Sequence, residues 1–320
     1  MPDDTYVIGV DLGGTHVAAA VVDISGKVFY QSELPVDISL TPDEIFEKSI
    51  FPAIETAINK APGKISGIGM GLPGHIDSRT GICRFSPNFQ WHNVEVTSRL
   101  TDRFGLNSFV MNDVRVATLG EQRFGAGRGI DNFVLMAIGT GIGGGIINNG
   151  ELVMGALESA GEIGHMTILP DGPPCNCGNR GCLEVLCSGP NIARRYREAL
   201  EKGEGELPPG LNSIDEATAK TIHRAAIAGD TLSLKIWEET GRYLGIGISN
   251  LITILNPDRV LLGGRVAKAI DLFLPVLKEE INRRVHMVPK NFTEIVPAAL
   301  GENAGMMGGA ALALLKLEIT

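Results

Sequence analysis

Hydrophobic residues near the start of the chain fall into short runs that end at polar or turn-forming residues. The first three runs are Tyr6–Asp11, Val17–Asp23 and Lys27–Gln31, and Ser25-Gly26 separates the second from the third. Short apolar runs with such boundaries are typical of strands joined by tight turns. The chain is therefore predicted to open with a strand, a glycine turn and a β-hairpin.

Helical spacing first appears after Thr41-Pro42-Asp43-Glu44, where an N-cap Thr, a Pro and a Glu predict a capping box. Residues 72–77 and 86–89 contain Pro-Gly and Pro-Asn, and we interpret both stretches as turns. Further strands are predicted at 65–72, 108–111, 132–138, 259–262 and 294–299. Helices are predicted at 190–202, 215–228, 230–255, 269–285 and 304–317.

A strand, a glycine-rich turn and a second strand occur twice, near residues 6–23 and 132–148. Such a faint repeat indicates two similar α/β halves, and 320 residues are enough for two domains. The first α/β block ends near Asp113–Val114. We therefore expect a small domain at 1–112 and a larger one at 113–302.

The chain carries a formal net charge of −9, and 41 of its residues are glycine. An acidic protein is a poor candidate for nucleic-acid binding, which requires a basic face. The N-terminal residues do not resemble a signal peptide, and no apolar run is long enough to span a membrane. We therefore predict a cytoplasmic protein with no nucleic-acid or membrane partner, in which glycines serve turns and close backbone approaches.

The turn Asp11-Leu12-Gly13-Gly14-Thr15-His16 is a candidate phosphate site. Its glycines allow backbone N–H groups to face an anion, Thr15 adds a hydroxyl donor, and Asp11 is placed to hold Mg²⁺ through water. The alternative is an ordinary hairpin turn that happens to contain Gly-Gly. The residues of the turn do not decide between the two.

A second candidate phosphate turn is Gly139-Thr140-Gly141-Ile142-Gly143-Gly144-Gly145, which follows a predicted strand. Because glycine loses more entropy on folding than other residues, five glycines in seven positions suggest close approach to a ligand. The alternative is a distorted hairpin. Gly263 and Gly264 follow another strand, where they could admit a base or ribose or could allow close packing.

Asn112 and Asp113 end a predicted strand, and polar residues at that end of a sheet commonly face a ligand. Asp113 could accept the proton of a sugar hydroxyl that attacks a phosphate. Its alternative role is the N-cap of a helix at 114–124, and spacing alone favours the cap.

The spacing of His165, Cys175, Cys177 and Cys182 is the most specific motif of the chain. Three thiolates and one imidazole complete a tetrahedral shell for zinc, and a closed shell indicates a structural site rather than a zinc hydrolase. Incidental cysteines are the alternative, although free cysteines are usually scattered.

Three further polar residues are candidates for binding a sugar through hydrogen bonds, namely Asn88, Glu162 and Glu184. The two glutamates flank the cysteine loop, and a metal would hold them rigidly. The alternative is that they are ordinary surface glutamates, which is the usual fate of this residue.

Together these motifs resemble the ROK family of bacterial sugar kinases over essentially the whole chain, and most closely its glucokinases. The resemblance rests on the ordered set Gly139–Gly145, Ala160–His165 and Cys175–Glu184. It implies an actin-like ATPase (ribonuclease H-like) α/β fold of two domains around a cleft. It also implies that the C-terminal helix, about 303–320, packs on the first domain, and that the protein is a homodimer or homotetramer.

The resemblance further implies individual roles, with Asp113 as the catalytic base. The implied sugar-binding residues are Asn88, Asn112, Asp113, Glu162, His165 and Glu184. The implied nucleotide-binding residues are Asp11, Gly13, Gly14, Thr15, Gly139, Thr140, Gly141, Gly263 and Gly264. The implied ligands of a structural zinc ion are His165, Cys175, Cys177 and Cys182, and the other ring nitrogen of His165 would touch a sugar hydroxyl.

The implied activity is transfer of the γ-phosphate of ATP, with Mg²⁺, to the 6-hydroxyl of glucose. Alternative acceptors are N-acetylmannosamine, N-acetylglucosamine and fructose, and polyphosphate is an alternative donor. A sugar-sensing transcriptional regulator is disfavoured, because the first strand is predicted near Tyr6 and no basic segment precedes it. Two residues depart from the family pattern: His16, where many relatives have Lys, and Arg115, where many have Asn.

Overall fold

The structure is a computed structural model that describes residues 5–208 and 211–319. Its strands are β1 (Tyr6–Leu12), β2 (His16–Asp23), β3 (Val28–Pro35), β4 (Ile65–Leu72), β5 (His75–Asp77), β6 (Ile82–Ser86), β7 (Trp91–Glu95), β8 (Asn107–Asn112), β9 (Phe133–Ile138), β10 (Ile142–Asn148), β11 (Glu151–Leu152), β12 (Arg259–Gly263) and β13 (Glu294–Pro297). Its α-helices are α1 (Pro42–Ile45), α2 (Phe51–Asn59), α3 (Val96–Phe104), α4 (Asp113–Phe124), α5 (Leu183–Cys187), α6 (Gly189–Glu201), α7 (Ala219–Ile227), α8 (Thr231–Leu255), α9 (Ile270–Arg284) and α10 (Ala304–Lys316).

Contacts within the chain define two compact units. The first unit contains the residues up to Asp131, the segment Gly145–Ala160 and the residues from Ala298 onward, and the second contains Asn132–Gly144 and Gly161–Pro297. The first unit extends through α4, beyond residue 112, because Gly120 of α4 lies directly against the backbone of Gly308 in α10. Compact units need not coincide with functional domains, so the domain limits 1–112 and 113–302 stay a prediction.

The main sheet of the first unit has the strand order β3-β2-β1-β4-β8. Strand β1 is antiparallel to β2 and parallel to β4, which is in turn parallel to β8. Asp11 pairs with Gly71, and Leu72 pairs with Asn112. The carboxyl ends of β1, β4 and β8 therefore meet at one edge of the sheet, which is where α/β proteins bind ligands.

A smaller antiparallel sheet, β5-β6-β7, was not predicted from the sequence. The interpretation of residues 72–77 and 86–89 as turns is therefore wrong in part, since His75–Asp77 and Ser86 are in strands. Pro73-Gly74 is a bend, and the turn after β6 covers 87–90. These strands have three to five residues and lie beside Pro and Gly. Their alternation of apolar and polar residues is too short to distinguish a strand from a turn.

The predicted capping box at Thr41 is confirmed. The Glu44 N–H donates to Thr41 Oγ1 at 3.3 Å, and the Thr41 N–H donates to Glu44 Oε2 at 3.1 Å. Helix α1 then continues through a π-helical turn, Phe46–Ile50, into α2. The side chains of Phe46, Ile50 and Ile54 are fully buried in the core that this helical segment forms with the main sheet.

Helix α10 packs against the main sheet backbone to backbone. At Gly69 in β4, a Cβ atom would overlap the carbonyl of Gly309 in α10, and at Gly9 in β1 it would overlap the carbonyl of Met306. Neither strand glycine has a left-handed φ. Glycine is therefore required here by the close approach of the helix and not by backbone conformation.

In the second unit, β9, β12 and β13 run parallel. They belong to the sheet of order β11-β10-β9-β12-β13, and the unit boundary at Gly144 falls within β10. Helices α8 and α9 lie together, with Trp237 stacked on Phe273 at a centroid distance of 6.1 Å. Asp230 caps the start of α8 through the Ser233 N–H, and Asn256 ends it in the left-handed conformation.

The long predicted elements are confirmed within a few residues at each end, for example β4, α6, α8 and α9. Their apolar patterns are long enough to indicate both type and position. Among residues 5–208 and 211–319, no helix combines the length and the apolar character needed to cross a membrane.

The close approach of α10 to the sheet predicts that Gly69→Ala will destabilise the protein. The added methyl must displace backbone, so we expect the free energy of unfolding to fall by about 3 kcal/mol. The measurement is urea denaturation followed by circular dichroism. Gly14→Ala is the matched control, because no other part of the described chain lies within 4 Å of the Cβ position there. Equal stability of the two variants would contradict the packing argument.

Candidate active site

The first glycine turn connects β1 to β2 and is closed by a hydrogen bond from the Gly13 N–H to the His16 carbonyl, at 2.9 Å. Gly14 has no left-handed φ, and its Cβ position is open to at least 4 Å within the described chain. Thr15 is exposed. Because nothing in the chain itself requires glycine at position 14, its exposed backbone is suited to close approach by a ligand.

His16 lies beside this turn and contacts polar groups of its own unit. Its Nδ1 is 3.0 Å from Thr15 Oγ1 and 3.8 Å from Glu33 Oε1. The ring therefore orients the Thr15 hydroxyl and faces a carboxylate. This arrangement accounts for the position of His16 without requiring the fixed charge that a Lys would supply.

Asp11 lies at the end of β1, against the first turn of α10. A Cβ at Gly305 would overlap its carboxyl group, so glycine at that position gives Asp11 its space. Burial, and to a smaller extent the negative charge of Asp113, raise the pKa of Asp11 from 3.8 to about 6. The two carboxyl groups therefore lie close enough at the sheet edge for their charges to interact.

The first residues of α4 separate the two roles that the sequence left open for Asp113. Asn112, not Asp113, is the N-cap: its Oδ1 accepts the N–H groups of Val114 at 3.1 Å and Arg115 at 3.3 Å. Asp113 is the first residue of the helix itself. The N-cap alternative for Asp113 is therefore wrong, and its carboxylate sits at the positive end of the helix dipole.

Asn112 also donates from Nδ2 to the Gly74 carbonyl at 3.2 Å. With its oxygen engaged in capping, this side chain offers a ligand one further N–H. Gly74 has a φ of +124°, and a Cβ there would overlap the Phe85 carbonyl. Asn88 is exposed in the turn that follows β6. Asn88, Asn112 and Asp113 thus all belong to the first unit, and the bond to Gly74 connects the end of β8 to the bend before β5.

In the second unit, Gly139 lies at the end of β9 and is open to at least 4 Å at its Cβ position. Its carbonyl accepts the N–H of Gly189, the first residue of α6, at 2.8 Å. Gly264 has a φ of +82°, and a Cβ there would overlap the Ile138 carbonyl. Gly139, Gly264 and the start of α6 are therefore neighbours. Thr140 is exposed beside them.

Packing explains more of the second glycine turn than the sequence suggested. A Cβ at Gly141 would lie 2.6 Å from Glu184 Oε2, and one at Gly144 would lie 2.6 Å from Ile163 Cδ1. A Cβ at Gly145 would overlap the Thr118 hydroxyl. These three glycines make room for neighbouring side chains, so their presence does not by itself indicate a ligand, whereas the Cβ position of Gly139 faces open space.

Glu184 joins the second turn to the cysteine loop. It lies in α5, two residues after Cys182, and its Oε2 accepts the Ile142 N–H at 2.8 Å. The other carboxylate oxygen, Oε1, can accept a hydrogen bond from a hydroxyl group of a ligand. Glu162 is exposed at the start of the 3₁₀ turn Ile163–His165.

The structure brings His165, Cys175, Cys177 and Cys182 together, with all four ligand atoms within 4.8 Å of one another. Cys177 Sγ is 3.8 Å from Cys182 Sγ, and Cys175 Sγ is 3.7 Å from His165 Nδ1. Thiolates bound to one zinc ion at about 2.3 Å lie about 3.8 Å apart at the corners of a tetrahedron. The cluster therefore fits a tetrahedral metal ion, and Nδ1 is the His165 nitrogen that faces it.

The surroundings of the thiols shift their pKa values in opposite directions. Burial, together with the neighbouring thiols of Cys175 and Cys177, raises the pKa of the Cys182 thiol to about 12. A hydrogen bond from the backbone of Asn179 lowers the pKa of Cys177. The loop between them turns at Gly178 and Gly181, which have φ values of +92° and +62°.

Sequence reasoning missed one buried residue of α4 altogether. The Glu121 carboxylate is fully buried and accepts the N–H groups of Ala126 at 2.8 Å, Ala299 at 3.1 Å and Leu300 at 2.8 Å. It thereby fixes the segment that leads into α10. No local pattern around residue 121 signals this role, because two of its three partners are 178 and 179 residues away in sequence.

Residues 7–316 match the family model described as "ROK family". The chain belongs to the ROK family. It is 36% identical over 312 residues to a glucokinase of Thermotoga maritima, and the match covers 96% of each chain. It is 30% identical to the xylose repressor of Caldicellulosiruptor bescii, over 96% of this chain and 78% of the repressor. The ROK family therefore contains both enzymes and regulators at similar distances from this chain.

Among solved structures, a ROK glucokinase from Streptomyces griseus in complex with glucose and AMPPNP is 31% identical. Its TM-score is 0.81, and the similarity covers 97% of this chain and 99% of that one. The expected actin-like ATPase fold, with two domains of α/β structure, is confirmed. Family membership, predicted from the motifs, is confirmed as well.

The raised pKa of Asp11 predicts how stability depends on pH. Below about pH 4 the carboxyl is protonated in both the folded and the unfolded chain, so it contributes nothing. As the pH rises to about 6, the folded chain retains the proton longer, because its pKa is about 6 and not 3.8. Stability therefore falls over this range by about 3 kcal/mol.

Asp11→Asn should remove this decline and raise the free energy of unfolding at neutral pH, measured by urea denaturation without Mg²⁺. Asp102→Asn, at an exposed position of α3, is the control and should leave the pH profile unchanged. A lower stability of Asp11→Asn than of the wild type at neutral pH would show that the buried charge is compensated.

Proposed function

We propose that the protein is an ATP-dependent glucokinase that transfers the γ-phosphate of ATP to the 6-hydroxyl of glucose. The observation that carries this proposal is that Asp11 and Asp113 lie at the same carboxyl edge of one sheet, where Asp11 pairs with Gly71 and Leu72 pairs with Asn112. Phosphoryl transfer needs one acidic residue on the metal side and one acceptor for the proton of the nucleophile. The 36% identity to a glucokinase supports the same activity.

In the proposed reaction, Asp113 accepts the proton of the 6-hydroxyl as the sugar oxygen attacks the γ-phosphorus. The new oxygen–phosphorus bond forms while the bond to the bridging oxygen breaks, and ADP leaves with that electron pair. Asn112 is the N-cap of α4, and Asp113 Oδ1 also accepts the N–H of Val114 at 2.9 Å, which orients the carboxylate at the start of the helix. A positioned base of this kind typically contributes about 10² to 10⁴ in rate.

The two glycine turns would bind the phosphates of the nucleotide through backbone N–H groups. The proposed residues are Gly13, Gly14 and Thr15 in the first unit and Gly139, Thr140, Gly141, Gly263 and Gly264 in the second. Asp11 would hold Mg²⁺ through water, and the ion would neutralise charge that develops on the phosphates. The raised pKa of Asp11 fits this role, because a buried carboxylate gains most from a nearby cation.

The sugar hydroxyls would be bound by Asn88, Asn112, Asp113, Glu162, His165 and Glu184. Two geometric details support this set. His165 turns Nδ1 to the cysteine cluster, which leaves Nε2 for a hydroxyl. Glu184 accepts the Ile142 N–H with one carboxylate oxygen, so its other oxygen can accept a hydrogen bond from a sugar hydroxyl.

We propose that the ion bound by His165, Cys175, Cys177 and Cys182 is zinc in a structural role. Three sulfur ligands and one nitrogen ligand in a tetrahedron are typical of zinc and leave no position for a reacting water. The ion would hold the loop that carries His165 and Glu184.

The alternative acceptors are N-acetylmannosamine, N-acetylglucosamine and fructose. The contacts described above do not determine which of these sugars, or glucose, binds most tightly. Polyphosphate as donor, a cytoplasmic location and a homodimer or homotetramer also stay predictions. A role as sugar-responsive regulator is a second candidate, because a relative at 30% identity is a xylose repressor.

A sugar panel tests the proposal, with ATP or polyphosphate as donor and Mg²⁺ present. Glucose should give the highest kcat/KM with ATP. Asp113→Ala should lower kcat by about 10³-fold while glucose binding, measured by calorimetry, largely survives. Asp102→Ala serves as the control.

Near-normal turnover of Asp113→Ala would refute the assignment of the base. Sugar binding without turnover of any sugar, together with a salt-dependent shift of duplex DNA, would favour the regulator.

The zinc proposal predicts that Cys177→Ala will lose the metal and raise the KM for glucose. The wild type should contain one zinc ion per chain by atomic emission, because a closed set of four ligands binds tightly. Cys83→Ala is the matched control, since Cys83 is buried in the first unit and outside the cluster. Stoichiometric zinc in Cys177→Ala with an unchanged KM would count against the structural role.

A further inference from the structure

A buried guanidinium links the helix that carries Asp113 to the segment that precedes Glu162. Arg115 is only 2% exposed, and its Nε and Nη2 both donate to the Ala160 carbonyl, at 3.1 Å and 2.8 Å. We propose that Arg115 is a positioning residue for sugar binding, which acts by fixing the backbone immediately before Glu162. This inference rests on the function proposed above and concerns a residue that touches neither substrate.

The segment that ends at Ala160 is held on its own unit by polar contacts. The Glu158 carboxylate accepts the Ser78 N–H at 2.7 Å and lies 3.2 Å from Arg79 Nε. His75 Nε2 donates to the Leu157 carbonyl at 3.0 Å. Glu158 has a left-handed φ of +53°, which a non-glycine residue adopts only where its surroundings enforce it.

Ala160 is the last fixed point of this segment. Its N–H donates to the Met154 carbonyl at 3.1 Å, so both of its backbone groups are engaged once Arg115 is counted. The next residue, Gly161, has a φ of +89° and is the first residue of the second unit. Glycine tolerates many backbone conformations, so the direction in which the chain continues depends on how firmly Ala160 is held.

Glu162 lies between two anchors along the chain. Ala160, two residues before it, is held by Arg115, and His165, three residues after it, belongs to the cysteine cluster. Loss of either anchor frees one end of this short segment. If one end of the segment is free, Glu162 must be ordered when the sugar binds. The entropy lost in that ordering lowers the affinity for the sugar.

Arginine suits this task because it is long and carries several donors in a fixed plane. A shorter side chain with a single amide nitrogen, such as Asn, could not place two donor nitrogens on the Ala160 carbonyl from the same backbone.

The test compares Arg115→Ala and Arg115→Lys with the wild type. Both should raise the KM for glucose, Arg115→Ala by about tenfold, which corresponds to about 1.4 kcal/mol. Arg115→Lys keeps the positive charge and one donor nitrogen, so its KM for glucose should lie between those of the wild type and Arg115→Ala. The KM for ATP and kcat at saturating glucose should change less than twofold, because Asp113 and the glycine turns are untouched. Arg128→Ala, at an exposed position after α4, is the control.

Two further measurements separate positioning from general stability. Amide hydrogen exchange at residues 158–163 should accelerate in Arg115→Lys while exchange in the core of β1 and β4 stays slow. Millimolar guanidinium should partly restore the KM of Arg115→Ala and have no effect on the wild type.

If Arg115→Ala does not fold, Arg115→Lys and its exchange pattern decide the question. An unchanged KM for glucose, or equal losses in kcat and both KM values, would overturn the inference while the wild type remains an active kinase. Failure of the wild type to phosphorylate any sugar would instead overturn the proposed function. The exchange measurement would still show whether Arg115 fixes the segment.

Discussion

Helix α4 contacts the first unit's side of three of the four points at which the chain passes from one unit to the other. Arg115 binds the carbonyl of Ala160, Thr118 lies against Gly145, and Glu121 accepts the N–H groups of Ala299 and Leu300. These three residues recur every three positions, so they follow one side of the helix. The same helix begins with Asp113. The proposed base and the anchors of the connecting segments are thus parts of one rigid element, which fixes their relative positions.

The fold could be predicted from the sequence where patterns are long, and not where a structural role depends on distant contacts. Strand β4 and helices α6, α8 and α9 follow from apolar periodicity and caps that lie within the element itself. The sheet β5-β6-β7 was missed because its strands are short and lie beside Pro and Gly. Gly69 looks like any strand glycine in the sequence, and only the approach of α10, some 240 residues later, explains it.

The candidate site shows the same division. The four proposed metal ligands could be singled out because ligand type and spacing carry the chemistry, and the structure brings their ligand atoms within 4.8 Å of one another. The identity of the cap at the start of α4 could not be predicted, because Asn and Asp are equally good caps and adjacent in the sequence. Glycine content was misleading at Gly141, Gly144 and Gly145, where the missing side chains make room for Glu184, Ile163 and Thr118. The sequence shows how many glycines a turn contains. Only the structure distinguishes glycines whose Cβ position is blocked by a neighbouring residue from those whose Cβ position is open.

The segment around Glu162, which we propose binds sugar, is held by polar contacts as well as by packing. Residues that bind sugar hydroxyls must present polar groups, so the chain around them cannot be held by an apolar core alone. Ile163 is buried, and polar groups on both sides of Glu162 add directional restraint. A buried guanidinium binds the carbonyl of Ala160, and His165 lies in the cysteine cluster, where the proposed zinc ion would hold it. Directional bonds lock orientation as well as distance, whereas apolar contacts tolerate sliding. Glu162 lies two residues after Ala160 and three residues before His165, so it is held by short chain on both sides, which is the condition for binding a sugar without first ordering a loop.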